Sequence, residues 1–271
     1  MEILGFSTGM YGWTEKYWSD SKNEPLWKEI FRDCAASGMD AVEIDPSPRL
    51  INLAESYGLS VSGSYLGLPL HEKNLDFEDL IRSHADRLSE AGGRDLLINA
   101  DPKGGWGVAL KKSEDEFKRQ GEYLTRIASI GREFDIKVSM HNHADEVHNA
   151  EGDLRSVIEY ASSEVGLCID TGWAFTAGYS PVNWVRDYPE RITAFHLRNQ
   201  RGSVPTEDLT DGEIDMRGLL NALHEIKYSG WLTFELWHRE DTHPKRTLAE
   251  DTRLSIEYLK KFMLDLEKEK L

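Results

Sequence analysis

The chain has 271 residues, 39% of them hydrophobic, enough to bury a sizeable core either as one α/β barrel or as two small domains. Its 48 acidic residues outnumber 32 basic ones, and the net charge of −16 repels nucleic acid and anionic membrane surfaces, leaving a small molecule as the expected partner. No apolar stretch approaches the ~20 residues of a membrane span, and the start Met1-Glu2-Ile3-Leu4-Gly5-Phe6 lacks the basic region of a signal peptide, so a cytoplasmic protein is expected.

In chain order, apolar runs with strand character fall at 2–7, 41–44, 59–64, 95–99, 136–140, 166–169, 192–196 and 232–235. Charged segments with helical spacing lie between them, at about 24–37, 48–57, 75–91, 113–133, 152–162, 181–188, 215–227 and 248–268. Punctuation supports this register: Gly38 and Gly58 stop helices, Asp215 stands at an N-cap, and Ser229-Gly230 separates the seventh helix from the eighth strand. The two cysteines, Cys34 and Cys168, share no motif spacing and read as buried thiols of a reducing compartment. Asp145, Glu146 and His148 read as solvated loop residues. Strict alternation of strand and helix implies a parallel sheet, and eight such units in 271 residues match a single-domain (β/α)8 TIM barrel over 1–271. The alternative, an open doubly wound sheet, carries a glycine-rich phosphate turn after its first strand; Ser7-Thr8-Gly9-Met10-Tyr11-Gly12-Trp13 is no such turn.

Four of the runs end in a residue able to bind a metal: Val138-Ser139-Met140-His141, Leu167-Cys168-Ile169-Asp170, Thr193-Ala194-Phe195-His196 and Leu232-Thr233-Phe234-Glu235. The intervals of 29, 26 and 39 residues each hold a loop, a helix and the next strand, so the four ends converge only if the strands are parallel neighbours. In a (β/α)8 barrel they then meet at the carboxyl face, where chemistry is expected. Strand alternation puts His143, Cys168, Arg198 and Trp237 on the same face as His141, Asp170, His196 and Glu235 respectively. Taken singly, the histidines would read as hydrogen-bonded core residues and the carboxylates as partners of Arg198. Four at successive strand ends favour a shared divalent cation, and the mixed nitrogen and oxygen donors suit Mn, Mg, Co, Fe or Zn, with Mn the first expectation. Trp13, Trp106, Trp173 and Trp237 fall just beyond strand ends and are expected to line the mouth, packing on the apolar faces of a sugar or cyclitol.

The segments His141-Asn142-His143, Asp170-Thr171-Gly172-Trp173, His196-Leu197-Arg198-Asn199, Gly212-Glu213-Ile214-Asp215 and Gly230-Trp231-Leu232-Thr233-Phe234-Glu235 resemble the sugar phosphate isomerase/epimerase family of xylose isomerase-like TIM barrels. The resemblance implies metal ligation by Asp170, His196 and Glu235, a substrate contact by Arg198, and a homo-oligomer. It also exposes two departures. His141 stands where the epimerases carry a glutamate that is both ligand and acid/base group, and Trp173 stands where many members have a histidine. The resemblance thus implies a metal-dependent isomerase or epimerase acting on a ketose, keto-acid or keto-cyclitol through an enediolate. Glu235 is the first candidate base, with His143 and Glu43 behind it; Glu43 reads equally as a hydrogen-bonding residue of the barrel rim. The missing fifth-strand glutamate makes an inosose dehydratase-like lyase the nearest alternative. An apurinic-site endonuclease-like hydrolase, which shares the barrel, needs more ligands and a basic surface. A non-catalytic sugar-binding barrel would lack the four-ligand set.

Overall fold

Strand β1 (Glu2–Thr8) runs parallel to β2 (Ala41–Glu43) on one side and to β8 (Ser229–Phe234) on the other, and this closes a ring. The computed structural model describes residues 1–108, 110–143 and 151–268, so the expectation for Asp145, Glu146 and His148 lies outside the described residues. Between β2 and β8 lie β3 (Ser60–Leu68), β4 (Asp95–Ala100), β5 (Lys137–His141), β6 (Gly166–Asp170) and β7 (Ile192–Leu197), each paired with its neighbours in sequence. The result is a closed eight-stranded parallel barrel. Helices α1 (Trp27–Ser37), α2 (Pro48–Ser56), α3 (Glu78–Glu90), α4 (Glu114–Glu133), α5 (Gly152–Tyr160), α6 (Pro181–Asp187), α7 (Met216–Glu225) and α8 (Leu248–Lys268) follow the strands in turn.

The helix ends are fixed by local chemistry. Ser113 and Glu116 close a reciprocal capping box on α4, and Asp215 accepts the Gly218 amide at 2.8 Å to start α7; each cap contributes about 1 kcal/mol. Gly38 ends α1 at φ +92°, a conformation that costs a residue with a Cβ more than it costs glycine. The inner apolar faces of the helices pack on the outside of the barrel, where Phe31, Phe77, Phe195 and Phe234 are almost fully buried. Each such side chain contributes roughly 1.5–3 kcal/mol. Inside the barrel, Leu97, Cys168 and Ala194 form a separate small cluster, two residues before Asn99, Asp170 and His196 on their strands. Cys34 and Cys168 are both buried free thiols.

Some boundaries differ from the sequence reading. Residues 24 and 25, expected in the first helix, instead pair with Trp18–Ser19 in a short antiparallel hairpin, and Trp27 opens the helix. The third strand continues four residues further, to Leu68. Ser229-Gly230 does not interrupt the chain before the eighth strand but begins it, with Ser229 level with Glu2. Short helices at Tyr11–Lys16 and Thr171–Thr176 and a hairpin joining Gln200–Arg201 to Val204–Pro205 add to the carboxyl face. Among the described residues no helix is long and apolar enough to cross a membrane.

Candidate metal centre and active-site cavity

Strand register assembles the site. His141 pairs with Cys168, two residues below Asp170; Asp170 pairs with His196; His196 pairs with Thr233, two residues below Glu235. All four therefore share one parity and face the barrel axis. Their ligand atoms all lie within 4.8 Å of one another. His141 Nε2 is 3.6 Å from Asp170 Oδ2, and His196 Nδ1 is 3.4 Å from Glu235 Oε2.

The strand ends are tied together by side chains next to the ligands. Asn142 donates to the Asp170 carbonyl at 3.1 Å and accepts the Asp170 amide at 2.8 Å, locking β5 to β6. The Thr171 hydroxyl donates to the Arg198 carbonyl at 2.7 Å and accepts the Arg198 amide at 3.0 Å, locking β6 to β7. Asp170 uses Oδ1 to cap the helix that begins at Thr171, through the Trp173 amide at 2.7 Å, and to hold Arg198 Nε at 3.0 Å. Its other oxygen is left facing inward. Gly172 is required here because a Cβ would stand 2.4 Å from Arg198 Nε.

The donor set fits a divalent cation. Both nitrogens of His141, Oδ2 of Asp170 and Nδ1 of His196 are buried without a hydrogen-bond partner among the described residues, a state that costs about 1–3 kcal/mol per atom unless something else binds there. Glu43 accepts from His196 Nε2 at 3.1 Å, which orients the ring and leaves Nδ1 free as a donor to a metal. Burial works against a charged His196, but Glu43 and Glu235 overcome it and hold its pKa well above the ordinary value. The same negative field that would draw a proton to this imidazole would draw a cation, and the two compete for Nδ1. Burial likewise opposes ionisation of Asp170, yet the Arg198 guanidinium, with His141 behind it, keeps this carboxyl well below the usual range.

Above the cluster opens a cavity of about 670 Å³, lined by Glu43, His141, His143, Arg198, Glu235, Trp106, Trp173 and Trp237 among the residues expected from sequence. Trp13 is a correction. It is 1% exposed, donates its indole N–H to Thr8 at 2.9 Å and stacks on Tyr17, so its ring turns into the core rather than toward the mouth. His143 lies between Trp106 and Trp173, with ring centroids 4.7 and 4.1 Å away, and Arg198 covers the other part of this stack, 4.2 Å from the Trp173 ring. Burial, helped by His141, lowers the His143 pKa to about 3, so the ring is neutral at physiological pH.

Several lining residues escaped the sequence reading, among them Tyr11, Trp27, Asp45 and Tyr65. Tyr65 stands against both His141 and His196, at 5.4 and 6.4 Å between ring centroids. Burial, then Glu235, raises its pKa far above the ordinary tyrosine value, so it stays a hydroxyl donor. Its signal was present in the alternation of Ser60–Leu68, had the third strand been carried to its full length.

A closed parallel barrel with four side chains that could hold a metal ion gathered at the carboxyl ends of its last four strands defines a class of α/β barrel. The chain matches the xylose isomerase-like TIM barrel family over residues 31–262 and belongs to it. It is 25% identical over 243 residues to an inosose dehydratase of Geobacillus kaustophilus, covering 76% of this chain and 79% of the relative. An inosose dehydratase of Clostridium tetani is 26% identical over 256 residues, covering 82% and 86%. The fold is similar to that of an L-ribulose 3-epimerase, with a TM-score of 0.73, 16% identity and coverage of 99% and 97%. It is also similar to that of a D-psicose 3-epimerase from Clostridium cellulolyticum, with a TM-score of 0.72, 15% identity and coverage of 94% and 98%.

Proposed function

We propose that the protein is a divalent-metal-dependent enzyme that removes the proton beside a ketone in an unphosphorylated ketose, keto-acid or keto-cyclitol, and returns it as an isomerase or epimerase does. The observation that carries this reading is the convergence of His141, Asp170, His196 and Glu235, with buried donor atoms left unpartnered, at the floor of a cavity. When bound there, with Mn the first expectation, a divalent cation would polarise a carbonyl and its neighbouring hydroxyl as a Lewis acid, which is worth several kcal/mol of transition-state stabilisation.

The residues divide the remaining work. Glu235 is the base in this reading, because its side chain is 14% exposed and lines the cavity, whereas Asp170 is fully buried and bound to Arg198. A positioned carboxylate contributes a factor of about 100 to 10,000 by taking the proton. Glu43 is engaged by His196 and acts as its orienting partner. His143, held neutral, offers a hydrogen bond rather than a charge, and Tyr65 offers a hydroxyl that does not ionise. Arg198 keeps one buried Nη2 without a partner among the described residues, which suits a substrate oxygen.

A second reading is favoured by a specific pair of observations. The fifth strand presents His141 in place of a second carboxylate, and the two curated relatives above are inosose dehydratases. In a lyase the enediolate would expel a β-hydroxyl as water after the same proton removal. Neither reading needs an organic cofactor. Incubation of inososes and free ketoses in D₂O with Mn²⁺, Mg²⁺, Co²⁺, Fe²⁺ or Zn²⁺ tests both: isomerisation incorporates deuterium without losing water, and dehydration loses water. Absence of both with every cation overturns proton abstraction.

A further inference from the structure

The cavity is built in two zones, and only the lower one suits a polyol. Its floor carries the carboxylates, imidazoles and guanidinium described above, while the upper walls are aromatic. On one side Tyr11 and Trp237, from the segments after β1 and β8, meet edge to face at 5.2 Å. Trp106 after β4 and Trp173 after β6 flank His143 on the other. In the closed ring of strands, β8 and β4 are diametrically opposed, as are β1 and β5, so Trp237 and Tyr11 face Trp106 and His143 across the mouth.

These rings are more than one pyranose needs. Trp106 is 55% exposed and Tyr11 46%, which leaves a broad aromatic surface uncovered directly above a polar floor. The volume of about 670 Å³ lies well inside the ~300–1,000 Å³ range of pockets that take multi-ring ligands. Charge narrows the class further. Among the described lining residues Arg198 is the one guanidinium or ammonium group and its Nε already holds Asp170, whereas Glu43, Asp45 and Glu235 are acidic, so the lining disfavours an anionic substituent such as a phosphate.

We propose that the substrate is a keto-sugar or keto-cyclitol ring that keeps a free ring ketone and bears a neutral planar substituent, seated between the Tyr11/Trp237 and Trp106/Trp173 walls while the ring ketone reaches the floor. This rests on the carbonyl chemistry proposed above, and it adds the class of molecule that chemistry acts on. Offset or edge-on contacts with a planar group strengthen binding beyond the area buried.

The test compares phenyl with methyl β-D-glucopyranoside, each oxidised to the ketone at C3 so that it keeps a ring carbonyl, by isothermal titration calorimetry on Mn²⁺-loaded and on metal-free protein. The phenyl compound should bind about tenfold or more tightly than the methyl compound in both states, because the walls contribute no metal ligand. Trp106→Ala, at an exposed position where folding is not at stake, should abolish that preference, and Trp237→Leu should reduce it. Equal affinities, no detectable binding of either compound, or a preference that survives Trp106→Ala overturns the proposal. A phenyl preference that persists without metal stands even if deuterium exchange fails, so loss of the chemical reading and loss of this one give different results.

Discussion

Replacing Glu43 by Gln removes one charge from a buried pair while keeping its shape. Glu43 Oε2 lies 3.1 Å from His196 Nε2, and the two side chains are 5% and 1% exposed. An ionised carboxylate accepting from Nε2 keeps the imidazole proton there and leaves a lone pair on Nδ1, 3.4 Å from Glu235. A carboxamide loses the charge and can turn its NH₂ toward the ring, favouring the tautomer with the proton on Nδ1, which cannot ligate. Removing an outer partner of this kind costs about 10- to 100-fold in metal affinity, or roughly 1.4–2.8 kcal/mol. Competition against a fluorescent chelator should show Mn²⁺ affinity falling by about that factor in Glu43→Gln and by more in Glu43→Ala. Turnover at saturating Mn²⁺ should fall much less. If Glu43 is instead the proton acceptor, affinity will hold within about twofold and turnover alone will collapse, and that outcome refutes the reasoning.

Other outcomes follow from single residues. Glu235→Gln should lower deuterium exchange into substrate by about 100- to 10,000-fold at metal saturation, measured by mass spectrometry. Trp13→Ala empties a core position and should cost about 3–5 kcal/mol in urea unfolding, with the substrate KM of the remaining folded protein little changed. Asp95 is 5% exposed, and burial, eased in part by Arg94, raises its pKa from 3.8 to about 7. The folded protein then holds a proton that the unfolded chain releases, so this group's contribution falls as pH rises from about 4 to 7 and the penalty is complete above 7. Asp95→Asn should therefore gain stability relative to the parent at pH 8 over pH 5, by at most about 3 kcal/mol, in paired denaturation curves.

Most of the barrel was legible because its strands and helices differ in period. Buried runs such as Leu96-Leu97-Ile98 and amphipathic stretches such as 114–133 leave distinct patterns, and their alternation implies the parallel ring. The His141, Asp170, His196 and Glu235 cluster was legible for the same reason, since each member stands within one residue of a strand's carboxyl end and side-chain parity sets its direction. What escaped was short or non-local. The two-residue strands around Ser19 and Glu24 have no period to read, and Pro25 reads as a helix start until its pairing with Trp18 is seen. Trp13 has the spacing of a mouth residue, but the helix at Tyr11–Lys16 rotates its ring inward onto Thr8 and Tyr17. The contact of Glu43 with His196 joins residues 153 apart in sequence, which no local pattern reports.

The proposed chemistry depends on four strand ends sharing one cation. Elemental analysis of protein purified without chelator, then reloaded and desalted, tests it most directly. The parent should carry about one divalent ion per chain, Asp170→Ala and His196→Ala little or none, and activity should disappear with chelation and return with metal. A parent protein that turns over a ketose or cyclitol at full rate with no bound metal, or alanine variants that retain the ion, would contradict it.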